Sequence, residues 1–261
     1  TINHAAQLAQ PGDVITVHAG THLEWINPKR GGTGDNNRIV YRAAAGEKVE
    51  IKGSEIIAGW LEENGGVWKV VLPNSCIGTY NPCADLVFED RCDNIEKSHA
   101  ADVFLNGKSF YETDKKENVT NPFPYEKSRD KEGSTYIWFY QEGVVNRTIW
   151  ANFHNSNPNK QLVELSIRRT CFYPDKPGIN YLTMSGFDFS QAATQWGAPI
   201  AEHIGMISTH WNKGWIMEKN RIHDSKGSGI TLGKERCTGH NVWSNDPSYD
   251  GSIHYLEFVF K

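Results

Sequence analysis

Apolar residues fall in short runs along much of this chain, each closed by Gly, Asn or Pro. Residues 214–232, GWIMEKNRIHDSKGSGITL, show the pattern best: a short apolar strand, Asn220 at a bend, a second strand, then Gly-Ser-Gly and a third. Such runs are too short for helices and suit strands divided by turns. Residues 181–192, YLTMSGFDFSQA, repeat it, and sliding one copy onto the other sets Met184 over Met217, Phe187 over Asn220 and Phe189 over Ile222. Self-similarity of this kind predicts a solenoid, whose rungs bury their apolar sides only against neighbouring rungs. The segment between the copies, 194–210, is about ten residues longer than a plain rung needs.

The same reading extends to the start of the chain. Ile2, Ala5, Ala6, Leu8 and Ala9 have helical spacing, and Pro11-Gly12-Asp13 turns the helix into the strand 14–17. A solenoid must cover its open end, and a leading helix that feeds the first rung does so in many right-handed parallel β-helices. Residues 19–22 read as a turn, 24–26 as a short strand, 27–37 as a Gly- and Asn-rich loop, and 38–41 and 48–51 as further strands. Superimposing Ile15 and Val17 on Ile39 and Tyr41 gives a first pair of rungs.

From about residue 58 the runs lengthen and alternate. Strands are predicted at 67–72, 135–140, 148–151 and 163–167, with a hairpin at 103–111 turned by Asn106-Gly107. Residues 75–99 and 114–133 read as long polar connections. The predicted fold is therefore all-β: a partial right-handed parallel β-helix with an inserted β-sandwich-like domain. The expected division is 1–57 for the first rungs and their helical cap, 58–173 for the insertion, and 174–261 for further rungs, with the chain cut at both ends.

Composition narrows the partners. A net charge of −4 with nine Trp argues against nucleic acid, which selects basic surfaces, and is compatible with carbohydrate, whose rings lie on aromatic faces. Most of the Trp residues are expected in packing. No run of about 18 apolar residues exists, so no membrane span is predicted. Five Cys without framework spacing read as free thiols of a reducing compartment, the cytoplasm. Cys76, Cys83, Cys92 and His99 lack a Cys-x-x-Cys pair, so no metal is predicted, and no cofactor is either. The loop 31–34, GGTG, lacks the Lys-Ser/Thr ending of a phosphate cradle.

The motifs PGDVITVHAG, EWINPKRGGT, AAGEKVEIKGSEIIAGW, RTIWANF, SQAATQW and HWNKGWIMEKNRIHDSKGSGITLGK together resemble the amino-terminal half of the glycoside hydrolase family 120 β-xylosidases. The resemblance runs along almost the whole chain. It departs from the family where Tyr and Arg are usual, at His22 and Leu23. It implies a β-helix with an inserted β-sandwich, and retaining hydrolysis that frees xylose from the non-reducing end of xylo-oligosaccharides. Retention needs two carboxyl groups about 5–5.5 Å apart. The resemblance places them in later rungs, so no catalytic residue is assigned before Lys261. A homo-oligomer is left open.

Candidate sugar-binding residues lie in the long excursion, because departures from rung spacing are where a repetitive scaffold places function. Gln195, Trp196, Glu202, His203, His210 and Trp211 cluster there. Trp196 and Trp211 suit a stacking wall, with Glu202 and His210 bonding hydroxyls. The plainer alternative is that the Trp pair packs the excursion onto the coil. Asp188 and Arg221 fall on matched outward positions, ~4.8 Å apart, as a surface ion pair. His223-Asp224 reads as a poor acid–base pair, since adjacent strand residues face opposite sides. Glu24 and Trp25 read as rung packing. Two rival functions stand beside the hydrolase: a β-helix polysaccharide lyase, which needs a metal or basic cluster, and a non-catalytic carbohydrate-binding fragment.

Overall fold

The computed structural model describes residues 1–87, 98–195, 204–210 and 212–232. The chain divides into one unit made of 1–53 with 168–261 and a second made of 54–167. These divisions fall four and six residues before the boundaries expected from sequence (57 against 53, 173 against 167). The reason is pairing: Ser54 already opposes Ser166 in a sheet of the second unit.

In the first unit, three stacks of parallel strands surround one apolar core. The first stack is Val14–Val17, Ile39–Ala43, Leu182–Ser185 and Ile216–Glu218. The second is Gly20–Leu23, Val49–Lys52, Phe187–Ser190 and Arg221–His223. The third consists of Ile26, Phe172, Ile207 and Ile230, joined by parallel bridges. The chain visits the stacks in the same order on each circuit. Met184 does lie on Met217 and Phe189 on Ile222.

Register sets like on like. The inward rows are Ile15, Tyr41, Met184 and Met217 in the first stack, and His22, Ile51, Phe189 and Ile222 in the second. Phe172 meets Tyr41 edge-on at 5.2 Å. The leading helix, Ile2–Leu8, adds Ile2 and Ala6 to this core. Thr1 caps it, and Glu24 accepts hydrogen bonds from the Ile2 and Asn3 amides at 3.0 and 2.8 Å. The first turn's orphan donors are thus satisfied across the first circuit.

Two sequence expectations fail near the start. Ile15 and Val17 pair with Tyr41 and Ala43, two residues beyond the positions expected. A two-residue slip keeps every side chain on its face, so the apolar pattern cannot detect it. Gly20–Leu23 is a strand, not a turn, and Ile26 belongs to the third stack. The loop glycines serve packing: a Cβ on Gly31 would lie 2.1 Å from the Asn180 carbonyl oxygen.

The second unit holds two sheets. One runs Tyr111–Glu112, Ile137–Glu142, Asn146–Asn152, Val67–Pro73 and Leu61–Asn64; the other runs Ser54–Ile56, Val163–Ser166, Val103–Leu105 and Lys108–Ser109. All pairings but the first are antiparallel. Trp68, Val70, Trp138 and Ile149 of one sheet meet Val103, Val163 and Leu165 of the other in one core. Asn106 and Gly107, at φ 51° and 82°, turn the predicted hairpin. Among the described residues no helix is long and apolar enough to cross a membrane.

Asn220 accepts from the Phe187 amide and donates to the Met184 carbonyl, both at 3.0 Å, so it stitches two circuits at their bends. Replacing it with Ala is expected to cost about 1–3 kcal/mol in urea unfolding by stranding these groups, and an unchanged midpoint would contradict the stitch. Glu50 is held below the usual carboxylate range by its hydrogen bond to Lys48, opposed by partial burial and aided by the Thr21 hydroxyl. A lowered carboxylate stabilises the fold above its unfolded-state pKa, and that gain is lost as pH falls through the folded value. Glu50→Gln should therefore lower stability at neutral pH, by under ~1 kcal/mol for so exposed a pair, and the deficit should vanish in acid.

Candidate functional site

The long excursion departs from the rung just after Thr194 and Gln195 and rejoins it at Gly205–Ser208. Trp196, Glu202, His203 and Trp211 lie outside the described residues. Both roots of the excursion are described, and both are fixed by hydroxyls. Thr194, fully buried, bonds the Ser225 hydroxyl at 2.7 Å and accepts from the Gly227 amide at 2.7 Å. Thr231 donates to Ser208 at 2.7 Å and accepts from the Gly205 amide at 3.0 Å. The two roots are thereby tied to the next circuit. The register confirms the extra length: Met184 to Met217 spans 33 positions, whereas Ile207 to Ile230 spans 23.

His210 follows directly, at a left-handed φ of 51°. Its ring stacks on Tyr173 with centroids 4.8 Å apart and planes at 15°. Its Nδ1 lies 2.8 Å from the Pro174 carbonyl oxygen, which only accepts, so Nδ1 carries the proton of that bond. Trp25, 39% exposed, donates its indole N–H to the Tyr173 carbonyl at 2.9 Å. The third stack thus bears an aromatic group of Trp25, Tyr173 and His210, each ring oriented by a hydrogen bond or a stack. Sequence reasoning named His210 and Trp25 but not Tyr173. The apolar run Cys171-Phe172-Tyr173, a strand-like signal, was the clue to Tyr173.

A second group lies on the outward row of the second stack: Thr21, Glu50, Asp188 and Arg221. Asp188 pairs with Arg221 at 3.4 Å and with His223 Nε2 at 2.7 Å. The expectation of poor geometry for His223 and Asp224 is overturned, because Nδ1 and the carboxylate are 2.6 Å apart. The strand ends at His223, and Asp224 takes a left-handed φ of 53° that folds its side chain back beside the ring. Alternation no longer applies once the strand stops.

Glu24, engaged by the helix amides, and His22, in the inward row with Nε2 buried and lacking a hydrogen-bond partner among the described residues, are structural. The Cys83 and Cys171 thiols are free, and burial pushes each up to about 12, far from a reactive thiolate. No group of three or more His, Cys, Asp or Glu among the described residues is arranged to hold a metal ion.

Residues 57–165 match the family model for the insertion domain of glycoside hydrolase 120. A solved structure described as the complex of XylC with xylose matches at 40% identity with a TM-score of 0.88, covering 100% of this chain and 43% of that one. The chain belongs to glycoside hydrolase family 120. This family 120 chain spans under half the length of that relative. A second structure, described as a glycoside hydrolase, matches at 12% identity over 84% of this chain and 56% of that one, with a TM-score of 0.48. A search of curated proteins finds no significant match.

Thr231→Val in this family 120 chain removes the acceptor of the Gly205 amide and the donor to Ser208. We expect a loss of about 1–3 kcal/mol, together with faster amide hydrogen exchange at Gly205. Unaltered exchange would mean that the excursion root is held by other means.

Proposed function

We propose that this protein is a glycoside hydrolase that releases xylose from xylo-oligosaccharides, built as a right-handed parallel β-helix carrying an inserted β-sandwich. The carrying observation is the match along the whole of this chain, at 40% identity, to part of a relative whose structure holds xylose. The three parallel stacks with a constant order of visits support the β-helix, and two sheets on one core support the sandwich. Nothing in the sequence or its relatives supports the lyase alternative.

In this reading Trp196, Glu202, His210 and Trp211 hold the sugar. His210 is pre-oriented for it: the Tyr173 stack fixes the ring plane and the Pro174 carbonyl fixes the tautomer. The excursion leaves and rejoins the rungs at roots tied to the next circuit, and holding a sugar in one pose favours the chemical step. Retention requires a carboxylate nucleophile and a carboxylic acid/base at close range. Neither role is given to a residue here.

Aryl β-xyloside and xylobiose are the substrates to test. Xylose should appear, β-xylose first by proton NMR, with no rise in ultraviolet absorbance from an unsaturated uronate. α-Xylose as the first product would end the retaining assignment, and an absorbing product would restore the lyase. His210→Ala should raise KM for xylobiose about tenfold, equivalent to ~1.4 kcal/mol, and move kcat less. An unchanged KM would remove His210 from the sugar site.

A further inference from the structure

The second unit carries an exposed aromatic display that its own core does not explain. Phe123 is 63% exposed, Tyr125 49% and Tyr111 40%. Tyr111 and Tyr125 are neighbours, since the Tyr111 hydroxyl lies 2.9 Å from Ser128 Oγ and the Ser128 amide donates to the Tyr125 carbonyl at 2.9 Å; Phe123 stands two residues before Tyr125 in the chain. The sequence is Asn121-Pro-Phe-Pro-Tyr125. A proline fixes its own φ and drives the residue before it to extended conformations, so Phe123 has little freedom to lose.

The loop that follows is rigid although polar. The buried Ser134 hydroxyl accepts from the Tyr125 amide at 2.8 Å and donates to the Lys131 carbonyl at 2.6 Å. Asp130 accepts from the Gly133 amide at 2.8 Å, and Lys131 pairs with Glu126 at 2.7 Å. A hydrogen-bonded loop that holds apolar rings in water has the composition of a preorganised binding surface, in which rigid aromatics limit the entropy lost on contact.

We propose that Phe123, Tyr125 and Tyr111 form a second, non-catalytic carbohydrate surface that takes a linear β-1,4-xylan chain. The proposal rests on the xylose reading above. Xylose units lack the exocyclic hydroxymethyl group, so both faces of such a chain are flat enough to lie on aromatic rings. Glu126 and Lys127, exposed beside the rings, offer partners for the ring hydroxyls. A second copy of the chain fits less well. Three partly exposed aromatics, each about 150–250 Å² when whole, fall well short of the ~800 Å² that a stable interface takes from each partner.

The test is isothermal titration and affinity electrophoresis of the full chain with soluble linear β-1,4-xylan, comparing the wild type with F123A/Y125A. Circular dichroism checks folding, and xylose release from xylobiose is followed separately. The expected result is a dissociation constant raised about tenfold in the variant, with xylobiose turnover unchanged. If the alanine pair does not fold, F123W/Y125W replaces it and should bind xylan at least as tightly as the wild type; weaker binding would overturn the surface. Equal xylan affinity in wild type and alanine variant overturns it too, as does self-association in sedimentation velocity that the variant abolishes. Wild type that neither binds xylan nor releases xylose removes the hydrolase reading and this surface with it. Xylobiose hydrolysis without xylan retention removes the surface alone.

Discussion

Parallel hydrogen bonding between successive circuits is the constraint on which the first unit depends. A parallel ladder places each residue beside its counterpart one circuit away, so an apolar residue at one level must be answered by an apolar residue at the next. Ile15, Tyr41, Met184 and Met217 form one such column, and Ile26, Phe172, Ile207 and Ile230 another. No circuit has a core of its own. The leading helix serves the same core, to which it adds Ile2 and Ala6.

The same rigidity decides where chemistry can reside. Strand positions are dictated by the column, which leaves variation to the bends and to the one long excursion. Asn220 shows what a bend residue does when its task is architecture: both ends of its amide hold backbone. The hydroxyls of Thr194 and Thr231 do comparable work at the excursion roots, tying each root to the next circuit. His210 follows the second root and meets Tyr173, with both rings already oriented.

Much of this was legible in the sequence because side-chain period and turn residues are local signals. The 33-residue repeat relating Met184 to Met217 needed only two similar segments to be seen, and Asn106-Gly107 announced its hairpin. The register of the first pair was missed because a slip of two residues is silent to alternation. The His223–Asp224 contact was missed because it depends on one left-handed residue at a strand end, which no apolar pattern encodes. Tyr173 was missed for a different reason. Its partners Trp25 and His210 are far away in sequence, and only the third stack brings them to it.

The point of insertion has a further consequence. The Arg168 amide bonds the Gly53 carbonyl at 2.8 Å, and Ser54 opposes Ser166 in the next sheet. Each body is therefore closed where the chain passes between them, with entrance and exit side by side. Because each crossing point is closed within its own unit, a bridging dipeptide between Gly53 and Arg168 is expected to leave the parallel ladders of the first unit as they are. The first unit is in this sense a socket, able to carry or to lose an inserted domain without disturbing its own columns.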